Sequence, residues 1–255
     1  MSKQYHEIRD PLHTFIRVST KERDRILDTR PVQRLRNIHQ LAMTFMVYPG
    51  ASHTRFEHSL GAMELASRIF SVITDADRDT EAATRQLPEP IKDFLFKPAQ
   101  EAERSNAKQA IRLAGLLHDV GHLPYSHAAE ETLMPLDGQQ TEDGKPRRWT
   151  HERFTLAHIR SDPLASGLDE FLPNAVERTA RLSTGPKDFV DLPGRQTEFN
   201  AVDALLSEII VGDAFGADRM DYLLRDSLHT GVAYGRFDHF RLIDTLCVLP
   251  APAEE

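Results

Sequence analysis

Residues 116–122 read Leu-Leu-His-Asp-Val-Gly-His. The apolar spacing upstream predicts a helix over Ala107 to Asp119, and Gly121 releases the chain from it. A histidine and an aspartate at the end of an apolar helix are carried toward the interior, where polar groups need partners. Two readings are open for His118 and Asp119: a buried hydrogen-bonded pair, or two ligands of a metal whose other ligands lie elsewhere. His58 is one candidate for a third. Imidazole and carboxylate donors suit a divalent Mn, Fe or Zn and tolerate Mg.

His58 stands in Thr54-Arg55-Phe56-Glu57-His58. Thr54 and Glu57 have the spacing of a capping box, so a helix begins here and runs to about Thr74, with Leu60, Met63, Leu65, Ile69 and Val72 on its apolar set. A capped helix with no further role is one reading. In the other, Arg55 lies on the first turn, where free N–H groups and the helix dipole favour an anion, and acts as a phosphate clamp. A further acid lies in Ala217-Asp218-Arg219-Met220-Asp221-Tyr222-Leu223-Leu224-Arg225-Asp226. Asp218, Tyr222 and Asp226 fall on one helical face. That face is either solvated with Asp–Arg pairs, or it places Asp218 on a metal and Tyr222 and Asp226 on a ligand. His122 follows His118 by about one turn. His127 and Glu130 are three apart, close enough for the acid to orient the imidazole. His151 alone reads as structural or exposed as readily as functional.

The 255 residues allow one large domain or a domain plus a subdomain, and 40% hydrophobic residues allow a sizeable core. No run of about 18 apolar residues exists, so no membrane span is expected. The polar N-terminus lacks a secretory signal, and the single cysteine, Cys247, fits a reducing, cytoplasmic compartment. A net charge of −8 argues against coating nucleic acid. Residues 6 to 20 read as a short hairpin or extended arm. Pro31 opens a helix. Residues 75 to 105 read as loops around a short helix, and residues 136 to 149 and 183 to 198 as loops. Helices are expected over His151–Arg160, Ala201–Val211 and Ala217–Leu228. Phe240 to Leu249 alternates like a strand, which needs a partner: either the N-terminal arm supplies it, or the chain is the front part of a longer protein. The balance is mainly α, with small β elements near both termini.

Taken together, Arg55-Phe56-Glu57-His58-Ser59-Leu60-Gly61, His118-Asp119-Val120-Gly121-His122 and Asp218 to Asp226 resemble the HD-domain deoxynucleotide triphosphohydrolases, which include bacterial dGTPase-like and sterile-alpha-motif/HD dNTPase enzymes. The likeness extends upstream through Asp10-Pro11-Leu12-His13, Gln33-Arg34-Leu35-Arg36, Gln40-Leu41 and Pro49-Gly50-Ala51-Ser52-His53. It implies an HD-type helical bundle across residues 1–255, with a metal-binding core over about 50–230. It also implies that His58, His118, Asp119 and Asp218 bind one metal. His127 is similar to the catalytic histidine, with Glu130 as its supporting acid and His151 as a second active-site histidine. Arg55 and Arg219 match phosphate contacts, and Gln40, Leu41, Tyr222 and Asp226 match contacts near the sugar. His122 joins the substrate-side set. Asp28, Gln33 and Arg36 resemble residues that read a nucleotide effector. Thr14 departs from the family's usual glycine after His13, and the segment that relatives carry beyond the final strand is absent.

The activity so implied is hydrolysis of a dNTP to deoxynucleoside and triphosphate by a homo-oligomer, with additional Mg travelling on the nucleotide. The alternatives are an HD-type nucleotidase, phosphodiesterase or nuclease, the last edged locally by Lys145-Pro146-Arg147-Arg148, and a non-catalytic nucleotide-sensing module.

Overall fold

A capping box fixes where the central helix of the protein starts. In the computed structural model, which describes residues 4–75, 86–140, 144–189 and 199–250, the Glu57 carboxylate accepts from the Thr54 N–H at 3.3 Å, and α2 runs from there over Arg55–Ile73. Before it come an antiparallel hairpin, β1 (Tyr5–Asp10) and β2 (Thr14–Ser19), with Asp10 opposite Thr14, and a short helix α1 (Arg30–Gln33) that has its proline in the first turn. After it come α3 (Glu89–Phe96), α4 (Glu101–Leu117), α5 (His127–Leu133), the strand pair β3 (Leu136–Gln140) and β4 (Pro146–Arg148), and helices α6 (His151–Ile159), α7 (Leu164–Asp169), α8 (Ala175–Asp188), α9 (Ala201–Val211), α10 (Ala217–Thr230) and α11 (His239–Thr245).

α2 packs against α4 on one side and α10 on the other. Two glycines permit these approaches. A Cβ on Gly115 of α4 would lie 3.1 Å from the Ala62 carbonyl and the Met63 Cα of α2. A Cβ on Gly61 of α2 would lie 1.8 Å from Asp221 Oδ1 and 2.5 Å from Arg225 on α10. Around this axis lie two apolar clusters. One joins Ile16, Ile26, Leu35, Phe56, Leu116 and Leu156; the other joins Leu65, Phe70, Phe94, Ile111, Leu206 and Met220. Each such buried side chain contributes about 1.5–3 kcal/mol relative to exposure. No helix among the described residues is long and apolar enough to cross a membrane.

The mainly α architecture and the N-terminal hairpin stand as expected. The C-terminal strand does not: residues 239–245 form α11, because the Asp238 side chain caps it by accepting from the Arg241 N–H at 2.9 Å. The alternation of Phe240, Leu242, Leu246 and Val248 resembles a strand, but Ile243 is the buried residue. The segment 136–149 is a strand pair rather than a plain loop, with 141–143 outside the described residues. The loop expected over 183–198 is not found at its start, since α8 continues to Asp188 through a kink at Gly185, where φ is 68°; residues 190–198 lie outside the described residues.

Candidate metal centre

Three separate stretches of chain bring four side chains together. His58 comes from the first turns of α2, His118 and Asp119 from the turn ending α4, and Asp218 from the first turn of α10. The Nε2 atoms of His58 and His118 lie 3.2 Å apart. Asp218 Oδ1 is 3.1 Å from the first and 3.4 Å from the second. Asp119 oxygens lie 3.6 Å from His58 Nε2 and 3.5 Å from His118 Nε2.

The outer nitrogens decide what faces inward. His58 Nδ1 donates to Asp221 Oδ2 at 2.9 Å, and His118 Nδ1 donates to the Gly115 carbonyl at 2.8 Å. Carboxylate and carbonyl oxygens only accept, so the Nδ1 protons are assigned, and both Nε2 lone pairs point into the cluster. With both imidazoles neutral, two lone pairs and two carboxylates converge with no donor among them. Burial alone would favour neutral His58, yet hydrogen bonds to Asp218 and Asp221 and the charge of Asp119 push its pKa up to about 10. Burial likewise opposes the charge of Asp218, but His118 and His58 hold its carboxyl below the usual range. A cage of this kind draws positive charge, and one divalent ion satisfies all four acceptors. The donor set therefore fits the metal implied by the sequence.

The turn carrying His118 and Asp119 is clamped from outside. Arg34 donates to the His122 carbonyl at 2.7 Å and to the Val120 carbonyl. Thr155 donates to the His118 carbonyl at 2.9 Å and accepts from the Gly121 N–H at 3.0 Å. Arg55 is buried, donates to Asp119, and reaches Ser126 Oγ at 2.9 Å through Nη2. Ser126 and Tyr125 both hold positive φ, of 52° and 70°, conformations that cost non-glycine residues about 1–3 kcal/mol each.

Beyond that turn sits a second group. His127 Nδ1 and His151 Nδ1 lie 3.0 and 2.8 Å from the same oxygen, Glu130 Oε1. The His122 and His151 rings stack with centroids 3.8 Å apart, and the His127 ring stands edge-on to both at 5.1 Å. Burial, reinforced by Arg55 and His151, pushes the His122 pKa down to about 3 against the pull of Asp119. Burial also works against the charge of His151, but the hydrogen bond to Glu130 and the nearby Glu152 leave its pKa raised. A cleft of about 280 Å³, lined by His118, Asp119, His151, Glu152, Lys187 and Asp218 among others, opens beside the cluster. A larger hollow of about 570 Å³ lies elsewhere, between Glu89, Asp93, Glu103, Arg178 and Asp203, and holds none of these histidines.

The remaining sequence candidates divide. Asp226 is buried and paired with His53 Nε2 at 2.8 Å. Tyr222 is half-buried. Gln40 is tied to this region by its N–H, which donates to the His53 carbonyl at 3.0 Å, and its Oε1 is buried without a partner. Leu41 follows it, half-buried. Arg219 is not among the cluster contacts: it donates to the Asp213 carbonyl and lines an apolar groove with Phe215 and Phe237. Gln33 accepts from Arg36 at 2.8 Å, while Asp28 lies 3.6 Å from Arg23.

Sequence reasoning assigned no role to Asp221, Arg225, Asp10 and His13, all buried. The available signal was Asp221 and Arg225 at i, i+4 beside the buried Met220 and Leu224. Because Gly61 faces both, Gly61→Ala is expected to lower stability by about 3 kcal/mol through overpacking; an unchanged thermal midpoint would show that α10 shifts freely.

The HD domain family model matches residues 55–221. The chain is 34% identical over 240 residues to the uncharacterized protein MJ1154 of Methanocaldococcus jannaschii, covering 94% of this chain and 37% of that protein. It is 29% identical over 252 residues to deoxynucleoside triphosphate triphosphohydrolase SAMHD1 of Bos taurus, covering 92% and 37%. A crystal structure of a hypothetical protein from Aquifex aeolicus superposes with a TM-score of 0.68 at 35% identity, over 96% of this chain and 52% of that one. The chain thus spans less than half the length of the curated relatives it matches.

Proposed function

The chain belongs to the HD domain family, and from that premise we propose that it is a metal-dependent phosphohydrolase that splits dNTPs into deoxynucleoside and triphosphate. The observation that carries the reading is the convergence of two imidazoles and two carboxylates beside a stacked histidine group. The name of the bovine relative supports the substrate class. His58, His118, Asp119 and Asp218 would hold the ion. When bound, it supplies Lewis acidity toward a phosphoryl oxygen and lowers the pKa of a water.

The chain's own residues then have distinct tasks. Arg55 fixes the Asp119 carboxylate and offers its cationic edge to phosphate oxygens. Glu130 accepts from Nδ1 of His127, leaving the far nitrogen of that exposed ring to deliver a proton to the leaving sugar oxygen. His151, whose raised pKa favours the charged form, stabilises phosphate charge. His122, neutral between them, presents its ring to the substrate side. Gln40, Leu41, Tyr222 and Asp226 border the sugar, and Arg219 reaches phosphate once it leaves the Asp213 carbonyl. In the same reading the whole chain works as one HD domain in the cytoplasm, as a homo-oligomer, with Asp28, Gln33 and Arg36 reading a nucleotide effector and an additional Mg accompanying the nucleotide.

Incubating Mn-loaded protein with each dNTP and identifying the products tests this. Deoxynucleoside with intact tripolyphosphate is the expected result. Inorganic phosphate alone would make it a nucleotidase and cut DNA a nuclease. Tight nucleotide binding without turnover would make it a sensor.

A further inference from the structure

His58 does not orient itself. Its Nδ1 proton is taken by Asp221, and that carboxylate is fully buried with all four of its acceptor positions filled. Oδ2 accepts from His58 Nδ1 at 2.9 Å and from Arg225 Nε at 2.8 Å. Oδ1 accepts from Arg225 Nη2 at 3.0 Å and from His13 Nε2 at 2.7 Å. His13 belongs to the turn of the N-terminal hairpin. Arg225 continues into the same turn, donating through Nη1 to Asp10 Oδ2 at 3.0 Å. The other Asp10 oxygen holds the turn itself, accepting from the Leu12 and His13 N–H groups at 2.8 and 2.9 Å.

We propose that the hairpin turn Asp10–His13 is a positioning element of the metal centre, and that its docking and metal binding are thermodynamically coupled through Asp221. The proposal rests on the reading of His58 as a ligand.

Several features point beyond simple packing. A hairpin could be fastened by its apolar residues alone, and Ile16 and Val18 already do this. The polar bonds instead converge on the one carboxylate that sets which nitrogen of His58 carries a proton. A carboxylate with four fixed donors holds the imidazole with its Nε2 lone pair facing inward. Removing the His13 donor leaves Oδ1 held by Arg225 Nη2 alone, with one buried acceptor position empty, and the alignment of His58 is fixed less tightly. Partners of this kind, one bond behind a ligand, typically change metal affinity by about 10–100-fold. Coupling of two binding events is reciprocal, so whatever hairpin docking adds to metal affinity, metal must add to hairpin docking.

Two measurements on the whole chain test the proposal. Mn affinity is measured calorimetrically for the wild type, His13→Ala and His13→Gln; amide hydrogen exchange of residues 5–19 is measured with and without Mn. The alanine variant should bind Mn about 10-fold more weakly, and the glutamine variant, which keeps a side-chain N–H donor, should recover most of the loss. Mn should slow exchange in the hairpin of the wild type. Wild-type affinity in His13→Ala, or hairpin exchange indifferent to Mn in the wild type, overturns the proposal while leaving the metal reading intact. The exchange arm needs no variant, so it decides the matter even if His13→Ala does not fold. Failure of the wild type to bind Mn at all would remove the metal reading and this proposal with it.

Discussion

Asp119→Ala is expected to yield protein with no stoichiometric metal and no measurable dNTP hydrolysis. Asp119 contributes in two directions. Toward the cluster, its oxygens lie within 3.6 Å of both His58 and His118 Nε2. Toward the other side, it accepts from Arg55. Its carboxyl is held well below the usual range: burial opposes the charge, but Arg55, His118 and His122 outweigh it. Alanine removes a ligand and also strands the Arg55 cation in the interior, which costs about 3–5 kcal/mol when one partner of a buried pair is deleted. Asp119→Asn separates the effects, because it preserves shape while removing the charge. Both variants should lose metal by elemental analysis, with the asparagine form losing less thermal stability. Metal content near one per chain in the folded asparagine variant would contradict the ligand assignment.

His127→Ala is expected to lower kcat by about 10²–10⁴-fold, the usual range for a removed general acid, with metal content unchanged. The geometry separates this residue from the cluster: its side chain is hydrogen-bonded to Glu130 and is 70% exposed, against 16% for His151. It is thus placed to meet a substrate without being needed to hold the ion. The contrary outcome is specific. His127, Glu130 and His151 also lie close enough together to bind a cation themselves. Loss of metal in His127→Ala would show that this group is a metal site, and unchanged turnover would remove the acid role.

The side chains that meet at the candidate site were legible in part because chemistry restricts them: a histidine and an aspartate at the end of an apolar helix need partners, and His58 and Asp218 stood at the starts of two other helices, while it was the family resemblance that joined all four into one set. α2 was read to within a residue of its ends, helped by the start signal of Thr54 with Glu57, and α9 over its whole span, which the structure shows to be capped by Asn200 accepting from the Asp203 N–H. α11 was misread because alternating apolar residues over so short a span fit either period, and the deciding cap, Asp238, was passed over. The bonds behind the ligands were illegible for a different reason. Asp10, His13, Asp221 and Arg225 acquire their roles through contacts between distant parts of the chain, and the i, i+4 spacing of Asp221 and Arg225 is the one local hint of them. Arg34 is a similar case: a charge beside Leu35 reads as a solvated face, whereas the fold spends it on two carbonyls of the ligand-bearing turn.

The Tyr125–Ser126 turn, between His122 and His127, holds two non-glycine residues at positive φ. It also bears on engineering. Glycine at Tyr125 would relieve the backbone penalty, so the position is one where a more heat-resistant protein is easily found. The same replacement would let the peptide carrying His127 sample other orientations, and the gain in durability would come with a slower enzyme. Selection for robustness alone would drift toward such a change; selection for turnover would hold a bulky residue there.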